Sequence, residues 1–223
     1  MSKVIVFDVN ETLLDLRALD PHFKRVFGSP IARQLWFSQM LQLAMTATLT
    51  DNYHDFATVG RAALQMTAAR LRVGLTGDDE RAIMGTMLQL PPHLDVKAGL
   101  ERLKNAGLRL AALTNSAPDA LTAQLTNAGL VDYFDRMLSV DAARQFKPAK
   151  AVYEMAAEKL GVTTAEMRMV AAHDWDVAGA MKAGCAGAFV ARPGMVLSPL
   201  MDIPDIIGTD LVDVADQILA TIS

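Results

Sequence analysis

The stretch Lys3-Val4-Ile5-Val6-Phe7-Asp8-Val9-Asn10-Glu11-Thr12-Leu13-Leu14 is an apolar, β-branched run that halts on a carboxylate and passes into a polar loop. Short continuous apolar runs of this kind read as strands buried on both faces, the usual state of a strand in a parallel sheet. A carboxylate just past such a strand can act as a nucleophile that forms an ester intermediate, and Thr12 can orient it through its hydroxyl. Taken alone, Asp8 is equally an aspartate that caps a turn.

After Leu14 the period changes. Across 15–89 apolar residues recur at helical spacing, as in Leu35, Met40, Leu43 and Ala47, then Phe56, Val59, Ala63 and Met66, and no convincing strand occurs. Pro91 and Pro92 end this block. Strands and helices alternate from there. Helices are expected at 96–106, 118–128, 149–160, 177–183 and 212–222, the first four stopped by Gly107, Gly129, Gly161 and Gly184. Strands are expected at 108–113, 134–140, 167–171 and 188–190. Such alternation implies an α/β fold, a Rossmann-like parallel sheet with helices on both faces. The all-helical block falls between the first strand and the rest, so residues 15–91 read as an inserted cap on a core made of 1–14 and 92–223. Ligands of open α/β sheets bind at the carboxyl ends of the strands. That rule points to the loops after Phe7, Leu113, Val140 and Ala171.

Bulk properties narrow the classes. A chain of 223 residues suits one α/β domain or a core with a modest insertion, and 52% hydrophobic with 21% charged residues is ordinary for a globule with a large core. A net charge of -4 gives no nucleic-acid footprint. Cys185 stands alone, so no internal disulfide forms, and a reducing cytoplasm fits. Residues 1–7 carry one lysine and an apolar run too short for a signal peptide or a membrane span. The expectation is a cytoplasmic protein with neither a nucleic-acid nor a membrane partner.

The other three loops add to the first. Leu113-Thr114-Asn115-Ser116-Ala117-Pro118 leaves a strand and leads backbone N–H groups to a helix start, which suits an anion; Ser116 also reads as a plain N-cap. In Gln145-Phe146-Lys147-Pro148, Pro148 opens a helix and leaves Lys147 in the loop, where it can hold a nucleophile ionised; a lone lysine is more often a solvated surface group. In Ala171-Ala172-His173-Asp174-Trp175-Asp176-Val177, Asp174 and Asp176 can orient Lys147 or hold a metal, and His173 alone is more often structural than catalytic.

Each loop is a weak signal; all four in order at strand ends are a specific one. The chain resembles the haloacid dehalogenase superfamily, and within it the type II 2-haloacid dehalogenase branch. Phe-Asp-Val-Asn-Glu-Thr-Leu-Leu-Asp (7–15), Leu-Thr-Asn-Ser-Ala-Pro (113–118), Ser-Val-Asp-Ala-Ala-Arg-Gln-Phe-Lys-Pro (139–148) and Trp-Asp-Val-Ala-Gly-Ala (175–180) carry the likeness, with Tyr153 six residues after Lys147. The resemblance implies that Asp8 attacks the carbon bearing the halogen of a short 2-haloalkanoic acid. Halide then leaves, and water hydrolyses the ester to a 2-hydroxy acid without a metal or other cofactor. It implies that Thr114 and Asn115 hold the substrate carboxylate, that Lys147, Tyr153 and Asp176 support the nucleophile and the water, and that Phe56 and Trp175 line an apolar pocket. A small anionic substrate is the partner, and a homodimer is left open.

The chain also departs from that branch. The branch's Trp-Arg pair, whose arginine receives the halide, reads Trp36-Phe37 here; Arg33 lies one helical turn earlier, on a face otherwise read as solvated. Asn10 stands where the branch has Tyr, and Ala171-Ala172-His173 stands where it has Ser-Ser-Asn, so His173 is a substitute donor or base near the substrate. Phosphatases of the superfamily need an acid at the Asn10 position and Mg²⁺, which Asp8, Asp174 and Asp176 would hold; an amide cannot relay the proton. That alternative stays open, as does a non-catalytic small-anion binder on the same fold.

Overall fold

The computed structural model describes residues 2–221. Among them, β1 (Val4–Phe7), β2 (Arg109–Thr114), β3 (Arg136–Ser139), β4 (Met167–Ala171), β5 (Ala186–Val190) and β6 (Ile206–Gly208) form one sheet in the order β3-β2-β1-β4-β5-β6. Every pairing is parallel. β1 is central and fully buried, which explains its continuous apolar run. Phe7 sits opposite Ala112 of β2 and Val170 of β4, so the chain that leaves β1 emerges between the ends of both neighbours.

Helices α1 (Asp20–Phe27), α2 (Ile31–Leu49), α3 (Phe56–Leu71) and α4 (Gly77–Thr86) lie between β1 and the rest of the sheet. The insertion enters and leaves through one narrow neck. Leu14 bridges Pro92, Asp15 N donates to the Pro91 carbonyl at 2.8 Å, and His93 N donates to the Leu13 carbonyl at 2.9 Å. The remaining helices alternate with the strands: α5 (Val96–Asn105), α6 (Pro118–Asn127), α7 (Lys150–Leu160), α8 (Asp174–Lys182) and α9 (Leu211–Ala220). α7 stops where expected, on Gly161 at φ 68°, a left-handed position that glycine adopts without cost.

Three expectations need correction. The sequence gives no signal for β6, because an edge strand of Ile206-Ile207-Gly208 is too short to show an alternation. α8 begins at Asp174 rather than at 177, so Asp174 and Asp176 occupy the first helical turn and not a loop. There their negative charge meets the unpaired N–H groups of the helix start. The closing helix ends at Ala220, and Ile222, expected in it, lies outside the described residues.

Gly179 of α8 packs where no side chain fits. A Cβ there would lie 2.4 Å from Pro148 Cβ and 2.9 Å from Tyr153 Oη. Gly179→Ala is therefore expected to push α8 away from Tyr153 and cost about 1–3 kcal/mol by overpacking. For a chain of this size that is a fall in Tm of roughly 2–12 °C, read by calorimetry. An unchanged Tm would show that α8 can shift without strain.

Candidate active site

The four strand ends bring one buried charge cluster together. Asp8 is held at the end of β1 by its own N–H, which donates to the Val170 carbonyl at 3.0 Å. Lys147 Nζ donates to Asp8 Oδ1 at 2.8 Å, to Asp176 Oδ2 at 2.6 Å and to the Leu113 carbonyl at 2.9 Å. Three acceptors match the three protons of an ammonium, so the buried Lys147 is fully satisfied. Tyr153 donates its hydroxyl to Asp176 Oδ1 at 2.7 Å. Thr12 Oγ1 donates to Asp8 Oδ2 at 2.6 Å and accepts from Ala172 N at 2.9 Å. Its carbonyl is gripped by Arg192, whose Nε and Nη2 approach to 3.1 and 2.9 Å.

These contacts set the protonation states. Burial pushes the Asp8 carboxyl up, but the Lys147 ammonium, His173 and the Thr12 hydroxyl outweigh it, and the group is held below the ordinary value of 3.8. Burial depresses Lys147, yet Asp176 and Asp8 raise it above its ordinary value. Asp176 is raised, first by burial and then, against the pull of Lys147, by the charge of Asp8. The result is an ionised carboxylate beside a permanent cation, with no exposed partner to neutralise it.

Thr114 and Asn115 close the second loop. Thr114 Oγ1 accepts from Ser116 N at 3.1 Å, and Asn115 Oδ1 accepts from Lys147 N at 3.1 Å. Asn10 is tied on both sides: its Nδ2 donates to Ser116 Oγ at 3.3 Å and its Oδ1 accepts from Gln124 Nε2 at 3.0 Å.

His173 forms the floor of a cleft of about 1050 Å³ between α2 and the sheet's carboxyl end. Its ring is stacked between Phe37 (centroids 6.1 Å apart) and Trp175 (4.9 Å). Its Nε2 lies 3.3 Å from the Asn10 carbonyl, 3.7 Å from Glu11 Oε2 and 3.9 Å from Asp8 Oδ2. Asp174 faces this cleft, whereas both Asp176 oxygens are taken by Lys147 and Tyr153. Among the described residues, no group of three His, Cys, Asp or Glu side chains converges as a set of metal ligands.

Two side chains stand elsewhere than expected. Phe56 does not line this cleft; it packs on Phe146, with centroids 5.7 Å apart, where the start of α3 meets the loop before α7. Arg33 is not on a solvated face. It is 7% exposed, lines the cleft, and bonds Asp20 Oδ1 at 2.6 Å and Glu11 Oε1 at 3.4 Å. The sequence reading missed Glu11 and Arg192. Glu11 is buried at φ 65° and its carboxyl is raised, first by burial and then against His173 and Arg33. Arg192 follows β5, and the strand-end rule would have found it had the loop after Val190 been counted.

Comparisons with known proteins agree with this geometry. The family model for haloacid dehalogenase-like hydrolases matches residues 2–184. The (S)-2-haloacid dehalogenase of Pseudomonas sp. (strain YL) is 32% identical over 206 residues, covering 91% of this chain and 88% of that one. That of Xanthobacter autotrophicus is 39% identical over 199 residues, covering 86% and 76%. The solved structure of L-2-haloacid dehalogenase from Xanthobacter autotrophicus with chloropropionic acid covalently bound has a TM-score of 0.91 at 31% identity, covering 98% of this chain and 99% of that one. With an aspartate, a lysine and a second aspartate joined at the ends of three parallel strands and a helical insertion after the first, the chain belongs to the haloacid dehalogenase-like hydrolases.

Proposed function

We propose that this protein hydrolyses the carbon–halogen bond of 2-haloalkanoic acids, giving 2-hydroxy acids through an ester on Asp8. The observation that carries the reading is the Lys147 ammonium between Asp8 and Asp176, which keeps Asp8 ionised where an anionic substrate must approach. A carboxylate oxygen of Asp8 attacks C2, the C–O bond forms, and halide leaves with the bonding electron pair. Water then cleaves the ester, restoring the carboxylate. One halide, one 2-hydroxy acid and one proton are released per turnover. The Thr114 hydroxyl proton and the Asn115 amide, with the backbone N–H groups of their loop, would hold the substrate carboxylate, since the oxygens of both side chains already accept from the loop. Residues 15–91 act as the cap over a core of 1–14 and 92–223.

The reading needs no metal or organic cofactor. Lys147 Nζ fills the space between Asp8 and Asp176, and the tied Asn10 amide offers no exchangeable acid proton for phosphatase chemistry. The test is free halide from each enantiomer of 2-chloropropionate, with and without EDTA, beside a p-nitrophenyl phosphate assay with Mg²⁺. Chloride release from one enantiomer, unchanged by EDTA, is expected. Phosphate release that depends on Mg²⁺, with no halide, would replace this reading by a phosphatase. A reducing cytoplasm remains the compartment we propose, given the buried free thiol of Cys185.

A further inference from the structure

Helix α2 is apolar on two sides. One side is internal to the cap, where Trp36, Met40 and Ala44 are buried and Trp36 Nε1 donates to the Gly60 carbonyl at 2.9 Å. On the other side Phe37, Leu41, Met45 and Leu49 follow one another at a spacing of four, and all four line the cleft. Residues four apart share one face of a helix, so they form a single row. The row begins at the reaction centre, with Phe37 stacked on His173, and ends in water: Phe37 is 5% exposed, Leu41 and Met45 are half-buried, and Leu49 is 87% exposed. At 1.5 Å per residue its length is about 18 Å. Met195 and Val196, from the loop after β5, line the same cleft, and Val196 is 76% exposed. A helix apolar on one side needs one partner, and one apolar on two sides needs a second.

Size points to the same occupant. Pockets for drug-sized ligands run to about 1,000 Å³. A cleft of about 1050 Å³ is far more than a two- or three-carbon haloacid fills. The charged groups gather at the inner end, where Glu11 and Asp20 are paired with Arg33, which stands on α2 itself one turn before Phe37. Beyond Phe37 the row of Leu41, Met45 and Leu49 carries no charge, and the uncharged Ser38, Gln42 and Thr46 of α2 line the cleft beside it.

We infer that the substrates of this site are 2-haloacids with an unbranched alkyl tail, and that the tail lies along Leu41, Met45 and Leu49 towards Val196. The inference rests on the dehalogenase reading and specifies its substrate. Each methylene taken from water is worth about fourfold in binding. Halide release is to be measured with racemic 2-bromopropionate, 2-bromohexanoate and 2-bromotetradecanoate, whose tail is long enough to run the length of the row, on the native protein and on Met45→Glu and Leu49→Glu. Leu49 is largely exposed, so Leu49→Glu tests the row even if Met45→Glu does not fold. We expect kcat/KM to rise about fourfold per added methylene over the first few, chiefly through KM. We expect the tetradecanoate-to-propionate ratio to collapse towards one in Met45→Glu and to fall in Leu49→Glu. A flat series with 2-bromopropionate still turned over overturns the tail site and leaves the dehalogenase reading standing. A rise that persists in both variants overturns the α2 row as its cause. No halide from any of the three acids overturns the dehalogenase reading and this inference with it.

Discussion

Asp8→Asn is expected to abolish halide release from 2-haloacids, by on the order of 10⁴-fold or more. The amide keeps the shape of the side chain and can still hydrogen-bond to Lys147 and Thr12, but it is not a nucleophile. The fold should survive: Thr12 remains anchored by the Ala172 N–H and by Arg192, and Lys147 keeps Asp176. Halide titration and a melting curve on the same sample separate loss of chemistry from loss of structure. In the native protein the acid limb of kcat/KM should lie below about pH 4, because Lys147 and Thr12 hold the Asp8 carboxyl under 3.8 despite its burial. Release by Asp8→Asn at anything near the native rate would remove Asp8 from the reaction.

Lys147→Met should cost both activity and stability. It leaves the Asp8 and Asp176 carboxylates buried without their cation, and breaking a buried pair typically costs about 3–5 kcal/mol. For a chain of this size the fall in Tm near neutral pH is roughly 6–20 °C. The pH dependence should also change, because the Asp8 contribution reverses sign and joins that of Asp176, which is raised in the native protein too. In the native protein the folded value of Asp8 is lower than the unfolded one, so its contribution is present above 3.8 and lost as pH falls through the folded value. In Lys147→Met the cation that chiefly opposes burial is gone, so burial and the mutual repulsion of the two carboxylates raise Asp8 and raise Asp176 further. Their contribution is then present below the ordinary carboxylate range and lost as pH rises through the raised values. The variant should therefore melt closer to the native protein at about pH 5 than at about pH 8. An equal deficit at both would mean that lost packing around the Lys147 stem, not unpaired charge, is responsible.

The sheet was legible because a parallel sheet imposes strong local signals. β1 is buried throughout and reads as an unbroken apolar run, β4 is buried too and is interrupted only by Arg168, which pairs with Asp205, and Gly161 marks the end of α7 by a conformation other residues resist. Asp8, Lys147 and Asp176 were legible for a different reason. Strand ends are the places where an open α/β sheet exposes chemistry, so a charged residue there is informative even in a single sequence. What the sequence could not show depends on how the side chains of α1–α4 are oriented. Phe56 turns to Phe146 rather than to the cleft, and Arg33 turns inward to Glu11 and Asp20; both contacts join residues far apart in the chain, which helical periodicity does not encode. β6 was missed for want of length, and the early start of α8 because its acids read equally well as loop residues.

The narrow neck at Leu14 and Pro92 has a dynamic consequence. Both passages between helices α1–α4 and the sheet run within a few residues of Thr12 and Glu11, and His93 Nε2 rests 3.1 Å from the Glu11 carbonyl. A rocking motion of those helices would load the 8–15 segment, the same backbone that aims the Asp8 carboxylate. In the proposed dehalogenase the neck and the nucleophile's mounting are one segment of chain, so a movement of α1–α4 that admitted substrate would also turn the attacking oxygen.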